Sequence, residues 1–336
     1  ATIVAIEWFA TRNPMARLAY AITVPLIALG LRDMLQRRHS LLRNYPVIGH
    51  GRYLMESVRP ELQQYFVESN TDGMPYDRSR RSLVYQRAKL QNDTVPFGTQ
   101  RDVYAPGYEW MEHSIVARHA HDPDPRCVIG GRDGGHTYSA SILNISAMSF
   151  GSLSDRAIHS LSAGARAGGF AHNTGEGGVS PYHLEGGGDL IWQIGTGYFG
   201  CRSANGNFDS VAFAERVAHS NIKMVEIKLS QGAKPGHGGI LPAAKVSLEI
   251  ANIRGVPRGE DVLSPPAHAA FSDPEGLLRF VQRLREASEG KPVGFKLCVG
   301  RPHEFLAICK AMQTTGIVPD YIAVDGGEGG TGGQGS

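Results

Sequence analysis

The sequence predicts an α/β fold of the TIM-type (β/α)8-barrel class, here incomplete with about six strands, over residues 140–336. Two observations favour this fold. Apolar runs of strand length alternate with amphipathic runs of helix length, which is typical of a parallel sheet. Each strand candidate also ends in a polar or glycine-rich loop, and a barrel gathers such loops on one face, where ligands bind. Because a closed barrel needs eight strands, we expect the chain to be a C-terminally truncated piece of a longer protein.

The individual elements follow from periodicity and from helix-boundary residues. Strands are predicted at residues 141–148, 169–173, 190–195, 224–229, 293–299 and 321–324. Helices are predicted at residues 155–167, 208–220, 241–253, 274–289 and 302–315. Ser152 is expected to open a capping box before the first of these helices. Asp273 as N-cap and Pro274 as first residue mark the start of the fourth.

Residues 1–33 are predicted to form a hydrophobic helical anchor. Residues 18–31 are uncharged and mostly apolar, and four arginines follow between positions 37 and 52, which matches the positive-inside pattern. The stretch is shorter than the roughly 20 residues of a full span, so a buried amphipathic helix or a degenerate signal segment stays open as the alternative. We therefore expect a bacterial-type, membrane-associated protein with its barrel in the cytoplasm, and a cytoplasmic protein if the anchor is not one. Residues 34–139 are interpreted as a lead-in region that packs on the barrel.

Composition excludes several functional classes. A formal net charge of +2 gives no argument for nucleic acid as a partner. The four cysteines form no CxxC pair, which argues against a disulfide framework and against a zinc or iron–sulfur site in this chain. His172, His183 and Glu185 do not have the spacing of a helical metal-binding pair. We predict no metal site and interpret these histidines as loop residues.

Residues 224–242 carry the clearest functional signal. The alternating run 225–229 predicts a strand, and a loop with four glycines follows it. Gln231 and Lys234 stand on this loop. Glycines let backbone N–H groups approach an anion closely, and a lysine beside them can pair with the carboxylate of a small acid. A plain βα loop that needs positive φ angles is the alternative interpretation.

Five motifs together resemble the FMN-binding domain of the glutamate synthase family. They are residues 146–151 (SAMSFG), 173–178 (NTGEGG), 228–236 (KLSQGAKPG), 263–266 (LSPP) and 325–327 (DGG), in the family's order. The N-terminal motifs at 44–50, 82–87 and 96–102 resemble the stand-alone, membrane-anchored branch, which carries no glutaminase domain. The iron–sulfur cysteines of the family have no match in this chain and are expected only beyond residue 336.

The resemblance implies an oxidoreductase that acts on CH–NH2 donors and uses FMN. Hydride transfer from reduced FMN to a 2-imino acid, 2-iminoglutarate, would give L-glutamate. The small-molecule partner would then be a 2-oxo acid, while the sequence leaves the electron donor and the ammonia source unknown. Two alternatives stay open: an FMN oxidoreductase acting on a different small acid, and a non-catalytic truncated remnant.

The resemblance also implies roles for single residues. Glu176 and Lys234 would be catalytic. Substrate would be bound by Gln231, Lys234 and His237. The flavin ring would be contacted by Met148, Ser149, Asn173, Gln193, Lys228 and Lys296, and its phosphate by Asp325, Gly326 and Gly327. The chain departs from the family at His237, where glutamate is usual, and at Ile240, where glutamine is usual, and both departures lie on the substrate side.

Overall fold

The computed structural model describes residues 8, 11, 18–59, 62, 76–91, 102–112, 114–118, 124–232 and 238–327. The chain divides into two compact units, Ala1–Glu112 and His113–Ser336. The described helices of the first unit are α1 (Tyr20–Leu35), α2 (Ser40–Asn44), α3 (Gly49–Ser57) and α4 (Arg78–Ala88).

The end of α1 is held by a buried carboxylate. Asp33 accepts hydrogen bonds from the Val47 backbone N–H at 2.9 Å and from His50 Nε2 at 2.9 Å. The Val47 N–H lowers the pKa of Asp33 below its usual range, because it stabilises the ionised form. Helix α1 therefore carries a charge in its last turn.

The predicted membrane anchor is wrong. None of the helices in the described ranges is long and apolar enough to cross a bilayer. Helix α1 has 16 residues and includes Arg32 and Asp33, whereas a span needs about 20 predominantly apolar residues. The prediction rested on the apolar run 18–31. It did not take into account Asp33 just beyond that run, which is buried and hydrogen-bonded. The expected bacterial-type membrane association depended on this anchor, so that prediction is wrong as well.

The second unit is built on a parallel sheet. Its strands β3 (Ala171–Asn173), β4 (Asp189–Ile194), β5 (Ile222–Lys228), β8 (Val293–Leu297) and β9 (Ile322–Val324) lie in the order β3-β4-β5-β8-β9. All four neighbouring pairs are parallel. An antiparallel hairpin of β1 (Arg126–Gly130) and β2 (Thr137–Ser141) precedes the sheet. Strands β6 (Ile240–Leu241) and β7 (Val262–Leu263) form a separate antiparallel pair.

Six helices accompany these strands: α5 (Asp155–Gly168), α6 (Pro181–Glu185), α7 (Ser210–Val217), α8 (Leu248–Arg254), α9 (Pro274–Ala287) and α10 (Pro302–Thr315). A parallel sheet interleaved with helices is consistent with part of a (β/α)8 barrel. The predicted Asp273 cap of α9 is confirmed, since its carboxylate accepts from the Gly276 N–H at 2.7 Å. The predicted capping box at Ser152 is wrong, because Ser154 caps α5 by accepting from the Ala157 N–H.

Two predicted elements differ from the structure. The strand predicted at 141–148 is reduced to one bridge between Ile145 and His172, because Ser141 ends β2. The helix predicted at 241–253 begins only at Leu248. Leu241 belongs instead to the two-residue strand β6, which pairs with β7. Ala243–Lys245 form a short 3-10 helix, and the Asp261 carboxylate accepts from the Ala243 N–H.

Successive side chains of β5 alternate between the main apolar core and the opposite face of the sheet. Val225 and Ile227 belong to the large apolar cluster shared with the helices. Met224 packs instead in a smaller cluster with Tyr138 of the hairpin. Because side chains of a strand alternate between faces, Glu226 and Lys228 share the face of Met224. The polar residues of β5 thus stand above an apolar layer, on the side of the sheet away from the main core.

Candidate active site

A cavity of about 230 Å³ opens at the carboxyl ends of the parallel strands. Strand β4 supplies Gln193, β5 supplies Lys228 and β8 supplies Lys296. The loops that follow supply the remaining lining residues, Ser146, Ala147, Met148, Ser149, Ser152, Gly175, Glu176, Gln231 and Asp325. Ligands of α/β barrels bind at this end of the strands. The position of the cavity in the fold therefore makes it the candidate functional site.

The deepest polar layer is centred on Glu226. Its side chain is buried, with 2% of the residue exposed. Its Oε1 accepts from Asn173 Nδ2 at 2.8 Å and from Gln193 Nε2 at 2.7 Å. Burial raises the pKa of Glu226, while the two amide donors act in the opposite direction. One carboxyl group therefore joins the neighbouring strands β3, β4 and β5 below the cavity.

Two lysines with carboxylate partners form the next layer. Lys228 Nζ lies 2.8 Å from Glu176 Oε1 and donates to Gln231 Oε1 at 2.7 Å. Lys296 Nζ lies 3.1 Å from Asp325 Oδ1. Both lysines are 8% exposed, and a lysine is rarely so buried unless it is paired. The cavity thus holds two cations whose present partners are side chains of its own loops.

Glycines allow the loop around Glu176 to approach its neighbours. Gly175 has a φ of +66°, and a Cβ there would lie 2.8 Å from the Ser149 nitrogen. At Gly195, a Cβ would lie 2.8 Å from the Glu176 carboxylate. Any larger residue at either position would collide with the loops that line the cavity, which is a physical reason for glycine in both.

Two buried histidines support backbone carbonyls of the site. His183 Nδ1 accepts from the Ser180 backbone N–H at 3.1 Å, so Nε2 carries the proton and donates to the Met148 carbonyl at 3.1 Å. His268 lies 2.8 Å from the Lys228 carbonyl through Nε2 and 3.1 Å from the Tyr198 hydroxyl through Nδ1. Burial lowers the pKa of both rings, that of His183 to about 4.

A buried arginine lies behind the same loops. Arg254 donates to the Phe150 carbonyl at 3.3 Å and its guanidinium lies 5.0 Å from the centre of the Phe199 ring. Burial lowers its pKa, and the charge of Glu176 opposes that shift. Arg254 therefore contributes positive potential near Glu176 and helps to hold the loop at Phe150.

The structure brings most of the predicted site residues together. Eight of them line the one cavity: Met148, Ser149, Glu176, Gln193, Lys228, Gln231, Lys296 and Asp325. Asn173 lies below the cavity, where its Nδ2 donates to Glu226 Oε1. The Gly326 carbonyl lies 3.8 Å from Cys298 Sγ. Apart from Gly327 and its chain neighbours, no atom of the described residues lies within 4 Å of the position that a Cβ would take at Gly327. Lys234 and His237 lie outside the described residues. Within the described ranges, no cluster of histidine, cysteine or acidic residues could hold a metal ion.

Sequence reasoning missed four residues of the site. Glu226 carries a signal that was available, since it is the acidic residue two positions before Lys228 on an alternating strand. His183 was interpreted only as a loop histidine. His268 and Arg254 had no such signal, because each reaches the site from a segment whose packing the sequence does not reveal.

Comparison with known protein families gives a consistent result. Residues 136–335 match the family model described as the conserved region in glutamate synthase. A glutamate synthase large subunit-like protein, YerD of Bacillus subtilis (strain 168), is 38% identical over an alignment 358 residues long. The alignment covers 93% of this chain and 67% of YerD.

Archaeal-type relatives match a shorter part of the chain. The archaeal-type glutamate synthase (NADPH) of Thermotoga neapolitana is 39% identical over 187 residues, which cover 55% of this chain and 34% of that protein. The archaeal glutamate synthase (NADPH) of Archaeoglobus fulgidus is 40% identical over 189 residues, which cover 56% and 34%. The chain thus spans about a third of the length of these relatives.

Proposed function

The chain belongs to the glutamate synthase family, and from that premise we propose that it is an FMN-dependent oxidoreductase that reduces 2-iminoglutarate to L-glutamate. One observation carries the proposal: two buried lysines, Lys228 and Lys296, stand at the ends of adjacent strands in a single cavity. The names of the relatives support the reaction class. The electron donor and the ammonia source stay outside the proposal.

The cavity fits the ring of a flavin better than the whole cofactor. Its volume of about 230 Å³ lies below the roughly 300–1,000 Å³ of complete small-molecule pockets. Its lining offers what a flavin ring requires, namely a buried cation and amide groups from strand ends beside an apolar Met148. A phosphate would extend toward the backbone at Gly326 and Gly327, where described residues leave open space at Gly327.

Bound FMN would supply the hydride for the imine carbon, and a proton would join the imine nitrogen. The residues of the chain would bind and orient. Lys296, held 3.1 Å from Asp325, would favour negative charge on the reduced ring, because a fixed cation stabilises developing charge most strongly in a dry site. Met148 would contact the face of the flavin ring. Its backbone is held in place because His183 Nε2 donates to the Met148 carbonyl.

The substrate carboxylates would be bound by Gln231, with Lys234 and His237 from the loop that follows. Gln231 accepts from Lys228 Nζ, which also lies beside Glu176. Because His237 and Ile240 depart from the family's residues, an FMN oxidoreductase acting on a different small acid is the competing proposal. Ile240 is 60% exposed on β6.

The proposal is tested by single turnover without oxygen. The protein is loaded with FMN, the flavin is photoreduced, and 2-oxoglutarate is added with ammonium. We expect the flavin to be reoxidised and one L-glutamate to form per flavin. With 2-oxoglutarate alone, we expect neither reoxidation nor L-glutamate. Reoxidation of the reduced flavin by another 2-oxo acid, or reduction of the oxidised flavin by a 2-hydroxy acid, without a response to 2-oxoglutarate and ammonium, would favour the competing proposal. A flavin that binds but reacts with none of these acids would identify a remnant without activity.

A further inference from the structure

The buried carboxyl group below the cavity has a consequence for ligand recognition. Glu226 accepts from two side-chain amides with the same oxygen, at 2.8 Å from Asn173 Nδ2 and 2.7 Å from Gln193 Nε2. Oε1 serves both as an acceptor, whether the carboxyl group is ionised or carries its proton on Oε2. Both amides must therefore turn their NH2 groups toward Glu226 and their oxygens away from it.

The two amide oxygens that face away have different partners. Asn173 Oδ1 accepts from the Gly175 backbone N–H at 3.0 Å, which holds the turn that carries Glu176. Gln193 lines the cavity, and its Oε1 accepts from none of the residues that the structure describes. The floor of the cavity consequently presents a hydrogen-bond acceptor whose direction is fixed from below.

We infer that Glu226 is a positioning residue that makes Gln193 a selective acceptor for an N–H group of the ligand. This inference rests on the proposed function, because it identifies the ligand group as the imide of a flavin. The oxidised flavin ring has a single N–H, at N3, flanked by two carbonyl groups. Without the Glu226 oxygen, the Gln193 amide is free to rotate and present its NH2 group, which repels an N–H donor.

A flavin methylated at N3 tests this assignment, because it keeps the ring and the phosphate but lacks the donor. We expect the protein to bind FMN at least tenfold more tightly than N3-methyl-FMN in a fluorescence titration, as a buried hydrogen bond is lost. The variant Glu226→Leu should reduce this ratio to below about threefold. Glu226→Gln is the matched control, since its side-chain oxygen can still accept from both amides and the ratio should persist.

Each outcome has one meaning. If Glu226→Leu weakens the binding of both flavins by the same factor, Glu226 is only structural and the inference fails. Should Glu226→Leu not fold, Gln193→Leu removes the same acceptor directly and must also reduce the ratio. A protein that binds FMN but does not distinguish the methylated form also overturns the inference, while the proposed function stands. A folded protein that binds neither flavin overturns the proposed function itself.

Discussion

Replacing Lys228 by methionine is expected to lower both the stability of the second unit and its affinity for flavin. The substitution leaves the Glu176 carboxylate without the ammonium group at 2.8 Å and removes the bond to Gln231. Breaking a charge pair costs about 2–5 kcal/mol when both partners are buried, mostly because the remaining charge stays poorly solvated. Because 25% of the Glu176 side chain is exposed, urea denaturation should show a loss of free energy of unfolding at the low end of that range.

The same strand provides a matched control. Lys223 forms a more exposed ion pair, 3.7 Å from Asp189, with about two fifths of each side chain accessible. Surface pairs contribute about 0–1 kcal/mol, so Lys223→Met should change the free energy of unfolding by less than 1 kcal/mol. Adding Glu176→Gln to Lys228→Met should restore part of the loss, because the carboxylate that loses the ammonium group is then neutral. Equal effects of the two lysine substitutions would contradict the assignment of Lys228 to a buried charge pair.

Acid is expected to destabilise the second unit through two buried histidines. Burial lowers the pKa of His172 and of His183 to about 4 from a usual value of 6.5. Below pH 6.5 the unfolded chain therefore binds protons that the folded chain does not, and stability falls until about pH 4. The full difference between these two pKa values corresponds to roughly 3 kcal/mol for each histidine.

The variant His172→Leu separates this effect from other titrations. Neither ring nitrogen of His172 has a hydrogen-bond partner among the described residues, so leucine removes the titrating group without breaking a bond. We expect similar free energies of unfolding for the two proteins at pH 8, and a difference of roughly 2–3 kcal/mol in favour of the variant at pH 4.5. The raised pKa of Glu226 acts equally in both proteins and cancels. Identical pH profiles would show that His172 is not held neutral by burial.

The five strands of the parallel sheet were predictable from sequence because they are short and mostly apolar, and most are flanked by glycine or proline. Val225 and Ile227 alternate with Glu226 and Lys228, and this period of two predicts both the strand and its polar face. The carboxyl ends of parallel strands meet at one edge of the sheet, which agrees with the common site that the resemblance implied for Gln193, Lys228 and Lys296.

The errors have physical causes that a single sequence does not reveal. The apolar run 18–31 looked like an anchor because the partners of Asp33, at Val47 and His50, are distant in sequence. The predicted helix at 241–253 begins late because Leu241 pairs with Val262 of β7, a partner that is distant in sequence, and only a short 3-10 helix at Ala243–Lys245 separates this strand from α8. His268 and Arg254 reach the site in the same way, through tertiary packing rather than a local pattern.

Flavin uptake by the purified protein tests the central claim most directly. The protein is incubated with excess FMN, separated from free cofactor by gel filtration, and its flavin absorbance is compared with its protein concentration. A flavin site at the strand ends predicts about one FMN per chain, and a clearly lower content in Lys296→Met. A protein with the circular dichroism of a folded α/β chain that retains no FMN would contradict the claim.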